Sequence, residues 1–144
     1  MISLTLALAA ALTATPRTMR LDYVHTGTAS EEQFALDGVA LEGAWAGPPN
    51  RLIDNSNLGK YYFEVIDAKT KRLLYSRGFA RIFGEWELTP EAGCERRAFE
   101  ESLRFPAPSA PVEVVLKKRD RQRIYILQCQ WINAAHKPHS TFIE

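Results

Sequence analysis

After its first 14 residues this 144-residue chain holds no apolar run long enough to cross a bilayer as a helix, which takes about 20 residues. It also lacks an excess of either charge, since 18 basic and 17 acidic residues leave a formal net charge of +1. That balance excludes a global electrostatic attraction to nucleic acid or to an anionic membrane. No Ser/His/Asp arrangement, nucleophile elbow or phosphate-binding glycine loop occurs at a recognisable spacing. Cysteine is limited to two residues. Cys94 follows Gly93 in a predicted loop and Cys129 falls in a predicted strand, so a disulfide and two unpaired thiols remain equal alternatives.

What is present suits one globular domain, with 46% hydrophobic and 24% charged residues. A chain of this size buries roughly two-thirds of its unfolded surface. Residues 1–14 are uncharged and apolar, and Ala9 and Ala11 offer a small-residue cleavage site. They read as a secretory signal peptide, the alternatives being an apolar helix or a misassigned start. Export would place the product outside the cell, in a periplasm or on a cell surface. The domain then covers residues 15–133, with residues 134–144 as a C-terminal tail lacking periodicity.

The densest aromatic stretch is residues 73–89, punctuated by Gly78 and Gly84. The run before it alternates, with Tyr61, Phe63 and Val65 on one side and Tyr62, Glu64 and Ile66 on the other. Period two in aromatic and β-branched residues predicts a half-buried strand, and the polar link at 67–71 makes residues 60–80 a hairpin whose second strand feeds residues 82–86. Residues 19–27 predict a strand with Leu21, Tyr23 and His25 on one side, ending at Gly27. At residues 30–33, Ser30 and Gln33 have capping-box spacing, which predicts no more than one turn. Residues 34–45 predict a strand bent or bulged at Gly38 or Gly43. Residues 96–105 fit a short helix or a strand, and Pro106 with the neighbouring strands favours strand. Val112, Val114 and Leu116 alternate in the next run and residues 124–131 in the last, with the basic segment 117–123 as the connection. Seven or eight short strands without a convincing helix predict an all-β fold, an antiparallel β-sandwich.

Candidate chemistry is thin. His136 and His139 have His-x-x-His spacing but no third ligand nearby, whereas catalytic zinc takes three protein ligands and an open position. His25 reads as a half-buried or turn histidine. Glu85 with Glu87, and Glu100 with Glu101, are possible carboxylate pairs, although a solvated strand face accounts for them better. The segment 117–123 carries five Lys or Arg side chains and one Asp; it reads as a solvated hairpin tip before it reads as a phosphate or sulfated-glycan site. Tyr61, Tyr62, Tyr75, Trp86 and Trp131 could form a sugar-stacking platform, but filling the core is the expected use of most of them. No catalytic, cofactor-binding or metal-ligating residue is assigned.

Several ordered blocks resemble the N-terminal domain of the IgA-peptidase family of secreted bacterial zinc metallopeptidases. They are Met19-Arg20-Leu21-Asp22-Tyr23 with His25-Thr26-Gly27, Arg51-Leu52-Ile53-Asp54, Asn57-Leu58-Gly59-Lys60-Tyr61, Tyr75-Ser76-Arg77-Gly78-Phe79, and Ile82-Phe83-Gly84-Glu85-Trp86-Glu87. Glu101-Ser102-Leu103-Arg104-Phe105-Pro106, leading into Pro111-Val112 and Val115-Leu116-Lys117-Lys118-Arg119-Asp120, continues the likeness, which covers about residues 19–120. The resemblance implies a downstream catalytic domain with a His-Glu-x-x-His zinc helix, a signature this sequence does not contain. It therefore implies a non-catalytic accessory domain without a cofactor, in a truncated or separately encoded piece, partnered by a metallopeptidase catalytic domain or a protein or glycan substrate. The competing reading is a free-standing secreted module that binds glycan or protein; a hydrolase using the glutamates lacks a recognisable constellation.

Overall fold

Each strand's alternation selects the face it buries. The computed structural model describes residues 15–119 in full and the backbone of residues 124–132. The expected signal peptide, the C-terminal tail, His136, His139 and the 120–123 end of the basic segment lie outside the described residues. In β1 (Arg17–Gly27), Met19, Leu21, Tyr23 and His25 are buried, while Arg20, Asp22, Val24 and Thr26 are half-exposed. β1 is flanked by β2 (Glu32–Ala44) and β5 (Arg97–Pro106), both antiparallel to it. A second antiparallel sheet has the order β4-β3-β6-β7, built from β3 (Tyr61–Asp67), β4 (Leu73–Phe79), β6 (Val112–Arg119) and β7 (Ile124–Ile132). The inner faces of the two sheets share one core: Met19, Leu21, Leu103 and Phe105 meet Phe63, Val65, Val114 and Leu116. The Phe63 and Phe105 rings lie 6.2 Å apart across it.

The predicted all-β sandwich is thus the observed fold, with seven strands among the described residues. Residues 96–105 take the strand alternative, and β3 with β4 forms the hairpin expected from residues 60–80. β2 bulges beside both candidate glycines: pairing skips one residue between Gly38 and Leu36, and another between Ala44 and Leu41. The segment after β1 makes only a turn, closed by the Thr28 N–H donating to the Glu31 carbonyl at 2.9 Å, and Glu32 already belongs to β2.

Two expectations need correction. Residues 82–86 do not extend the hairpin; they form the one-turn helix α1 (Ile82–Trp86). The governing spacing is three, because a helical turn sets Phe83 and Trp86 together over Ala92 and Phe99 in a small second core. The basic segment is not wholly a loop either, since β6 runs through Arg119 and carries Lys117 and Lys118 with it.

The segment before β3 is fastened across β4. Asp54 Oδ2 accepts the Gly78 N–H at 2.7 Å, and Asp54 Oδ1 accepts from the Ser56 N–H at 2.8 Å and the Ser56 hydroxyl at 2.6 Å. Hydrogen bonds from Ser56 and Gly78 hold the Asp54 carboxyl down to about 2. Glycine is required where this segment touches the strand: a Cβ on Gly78 would stand 2.0 Å from the Leu58 carbonyl oxygen, whereas one on Gly38 would meet nothing within 4 Å. Gly78→Ala should therefore cost about 1–3 kcal/mol by forced displacement of backbone, and Gly38→Ala should be neutral or stabilising by up to about 1 kcal/mol. Urea midpoints of the two variants check this, and equal midpoints would contradict the contact.

Candidate functional site

Five strands carry ionisable or phenolic side chains at inward positions near the same end of the sandwich. Tyr23 and His25 come from β1, Glu32 from β2, Tyr61 from β3, Glu101 from β5 and Lys118 from β6. The strand registers bring them together, with Tyr23 opposite Glu101 and Tyr61 opposite Lys118. Lys60 and Glu87, just outside β3 and α1, complete the cluster.

His25 is at its centre and only 1% exposed, so the half-buried or turn reading of this residue is overturned. Its ring stacks between Phe34, at 4.1 Å between centroids, and Phe83, at 3.8 Å, with Tyr61 edge-on at 5.5 Å. Nδ1 lies 3.3 Å from Glu101 Oε2, and Nε2 lies 3.9 Å from Glu32 Oε2. The Tyr23 hydroxyl donates to Glu101 Oε2 at 2.7 Å and the Tyr61 hydroxyl to Glu32 Oε1 at 3.2 Å. Burial, reinforced by these carboxylates, raises both phenols far above their ordinary range, so they act as fixed donors.

The Lys118 ammonium joins the two sheets: it pairs with Glu32 of the opposite sheet and, at 2.9 Å, with Glu87 Oε2 after α1. Lys60 holds the other Glu87 oxygen and donates to the Gly84 carbonyl at 3.0 Å. Burial opposes the charge on Glu87, yet the hydrogen bonds from Lys60 and Lys118 outweigh it and hold that carboxyl below its ordinary value. For Lys118, burial is likewise outweighed by hydrogen bonds to Glu32 and Glu87, and its value is raised.

The paired carboxylates singled out in the sequence are separated by the fold. Glu87 and Glu101 turn into the cluster, while Glu85 and Glu100 stay exposed. Tyr61, Tyr75 and Trp86 are core residues, as expected; Tyr62 is half-exposed beneath the Arg119 guanidinium, 4.7 Å from its ring. The Trp131 side chain lies outside the described residues. The described part of the basic segment is also committed: Lys117 pairs with Glu64 at 2.6 Å and Arg119 donates to the Leu58 carbonyl at 2.6 Å. Cys94 is an exposed free thiol. Sequence reasoning missed the cluster as a unit, although carrying each strand's alternation through to its end would have turned these side chains inward.

Chemically the cluster is a buried charge network closed by two partly exposed lysines. The carboxylates flank opposite edges of the imidazole instead of converging on one point, and no group of three or more His, Cys, Asp or Glu among the described residues could hold a metal ion. The residue set does not fit a zinc centre.

With the geometry in place, comparison with known families is decisive. The Peptidase M64 N-terminus family matches residues 12–129. The chain belongs to that family. It thereby joins the IgA-peptidase M64 group through the N-terminal domain, and the match covers β1 to β6, the first part of β7 and every member of the cluster. Comparison with curated proteins finds no match.

For this M64 N-terminal domain the two ion-paired groups set opposite pH limbs. The stability supplied by Glu87 is full above the unfolded carboxylate value of about 4.3 and is lost as pH falls through the lower folded value. That supplied by Lys118 is full below the unfolded value of about 10.4 and is lost as pH rises through the higher folded value. Lys118→Met should cost about 3–5 kcal/mol at neutral pH by stranding buried carboxylates. Part of that loss should return in acid, where protonation of Glu87 removes the charge that Lys118 had paired. Urea midpoints against pH for both proteins check this; a loss independent of pH would contradict it.

Proposed function

We propose that this chain is a secreted, non-catalytic accessory domain of an IgA-peptidase-like metallopeptidase, supporting the catalytic domain or helping to present a protein substrate. The observation that carries the reading is the family match over residues 12–129, which is to the N-terminal portion of the peptidase. Burial agrees with it: His25 is only 1% exposed and stands behind two aromatic rings, so a substrate has no approach to the imidazole. Export is supported by the apolar run at residues 1–14, and the family match starts directly after the Ala11 cleavage position.

The purified chain, supplied with zinc, should leave IgA and casein uncut while showing a cooperative unfolding transition. Chelator-sensitive cleavage would overturn the non-catalytic assignment. Joined in cis to a His-Glu-x-x-His catalytic domain of the family, the chain should raise that domain's folding yield or its kcat/KM. If both stay unchanged beside the catalytic domain alone, the accessory role is wrong even where the non-catalytic one stands.

A further inference from the structure

A cleft of about 930 Å³ opens between the 48–56 segment and β4, lined among others by Pro48, Asn50, Arg51, Ile53, Tyr75 and Arg77. Its two walls are fastened together, the Ser76 N–H donating to the Leu52 carbonyl and the Asp54 N–H to the Ser76 hydroxyl oxygen, both at 2.9 Å. β4 is an edge strand, and Tyr75 and Arg77, two residues apart, share its inner face. Tyr75 is buried beside Phe63 in the main core, whereas Arg77 is exposed. The cleft thus receives one arginine from the inner face of β4 and another, Arg51, from the segment laid against that strand.

These two guanidiniums differ from most others in the fold. Arg17, Arg20, Arg81, Arg96, Arg97, Arg104 and Arg119 each donate to a protein oxygen. Arg51 and Arg77 are exposed and make neither a hydrogen bond nor an ion pair with any described residue. Asp54, the carboxylate in the lining, is already filled by the Gly78 and Ser56 N–H groups and the Ser56 hydroxyl. Tyr75 supplies a separate sign of a ligand: it is 5% exposed, yet its hydroxyl bonds no described group. A phenol buried to this extent ordinarily has a partner. An acceptor-only group would satisfy both cations and the phenol. Inward charge on an edge strand also guards against strand addition, but that role calls for neither Arg51 nor a cleft.

Two guanidiniums and one carboxylate leave the lining with a single net positive charge, which suits a carboxylate better than a doubly charged phosphate. Tyr75 is the aromatic residue of the lining and its ring is buried, so the cleft has no face on which to stack a sugar. Exposed Pro48, Pro49 and Ile53 instead border the charges with apolar surface suited to a peptide. We propose that the cleft between the 48–56 segment and β4 binds an aspartate or glutamate side chain presented by a protein partner, its carboxylate held by Arg51, Arg77 and the Tyr75 hydroxyl. The site stands independently of the accessory role, because it requires only an acidic side chain on whatever protein the domain meets.

The test is titration of the ¹⁵N-labelled chain, at low ionic strength, with acetylated and amidated Ala-Ala-Glu-Ala-Ala and Ala-Ala-Asp-Ala-Ala, with the glutamine peptide Ala-Ala-Gln-Ala-Ala as uncharged control and inorganic phosphate as a second anion. The acidic peptides should give saturable amide shifts confined to residues 48–56 and 75–77, the control none, and phosphate weaker binding than either peptide. The exposed double variant Arg51→Gln/Arg77→Gln should bind about tenfold more weakly, in keeping with two surface charges removed. Tyr75→Phe, which keeps the ring in the core, should bind about threefold more weakly through loss of one hydrogen bond. Arg72→Gln, an unpaired arginine outside the cleft, should bind as the parent does. Equal shifts with the glutamine peptide, tighter binding of phosphate, or weakening by Arg72→Gln as large as by the double variant would each overturn the proposal. So would binding unchanged in the double variant or in Tyr75→Phe. Loss of IgA-peptidase support in cis with peptide binding intact would strike only the accessory role.

Discussion

Lys118 is the point on which the two sheets close. Its ammonium sits at the inward end of β6 and reaches Glu32 on β2 of the opposite sheet as well as Glu87 after α1. Apart from this pair and the Tyr61 hydroxyl's bond to the same Glu32, the described parts of the sheets are held mainly by non-directional burial, which favours close packing but fixes register weakly. An ion pair bridging named positions on β2 and β6 admits one alignment only, because a one-residue slip of either strand would turn its charged residue to the outer face. In stability alone such a pair gains little over well-packed apolar residues. Its contribution here is to specify which strand ends meet.

The helical turn depends on the same interaction. Five residues are too few to form a stable helix unaided. α1 is fixed at its base by Phe83 and Trp86 in the second core and at its end by Glu87, which Lys60 and Lys118 grip together. Phe83 is then the upper plate of the His25 stack. The aromatic packing, the ion pairs and the turn are therefore one cooperative unit, and removal of the Lys118 charge acts on all three.

The sandwich was legible because its strands are half-buried and obey period two closely; β1 and β3 read almost residue for residue. The α1 turn was not, since Ile82-Phe83-Gly84-Glu85-Trp86 is as apolar as a strand and is distinguished only by the three-residue step from Phe83 to Trp86. The same alternation that placed Tyr23 inward also placed His25 inward, and the one joining Phe99, Leu103 and Phe105 passes through Glu101. Parity thus located each polar residue on a buried face. Which of them would meet depends on strand order, β2-β1-β5 opposite β4-β3-β6-β7, and pairing across non-consecutive strands leaves no local mark in the chain.

The glutamates show how one sequence divides buried, paired carboxylates from solvated ones. Glu32 and Glu87 are matched by lysines, so their charges are consumed within the fold. Glu85 and Glu100 are exposed, and water already stabilises them. Glu101 is as buried as Glu32 and Glu87 and rests instead on His25 and the Tyr23 hydroxyl. At this end of the sandwich the buried network therefore fixes which strand ends meet, and Glu85 and Glu100 are left to solvent.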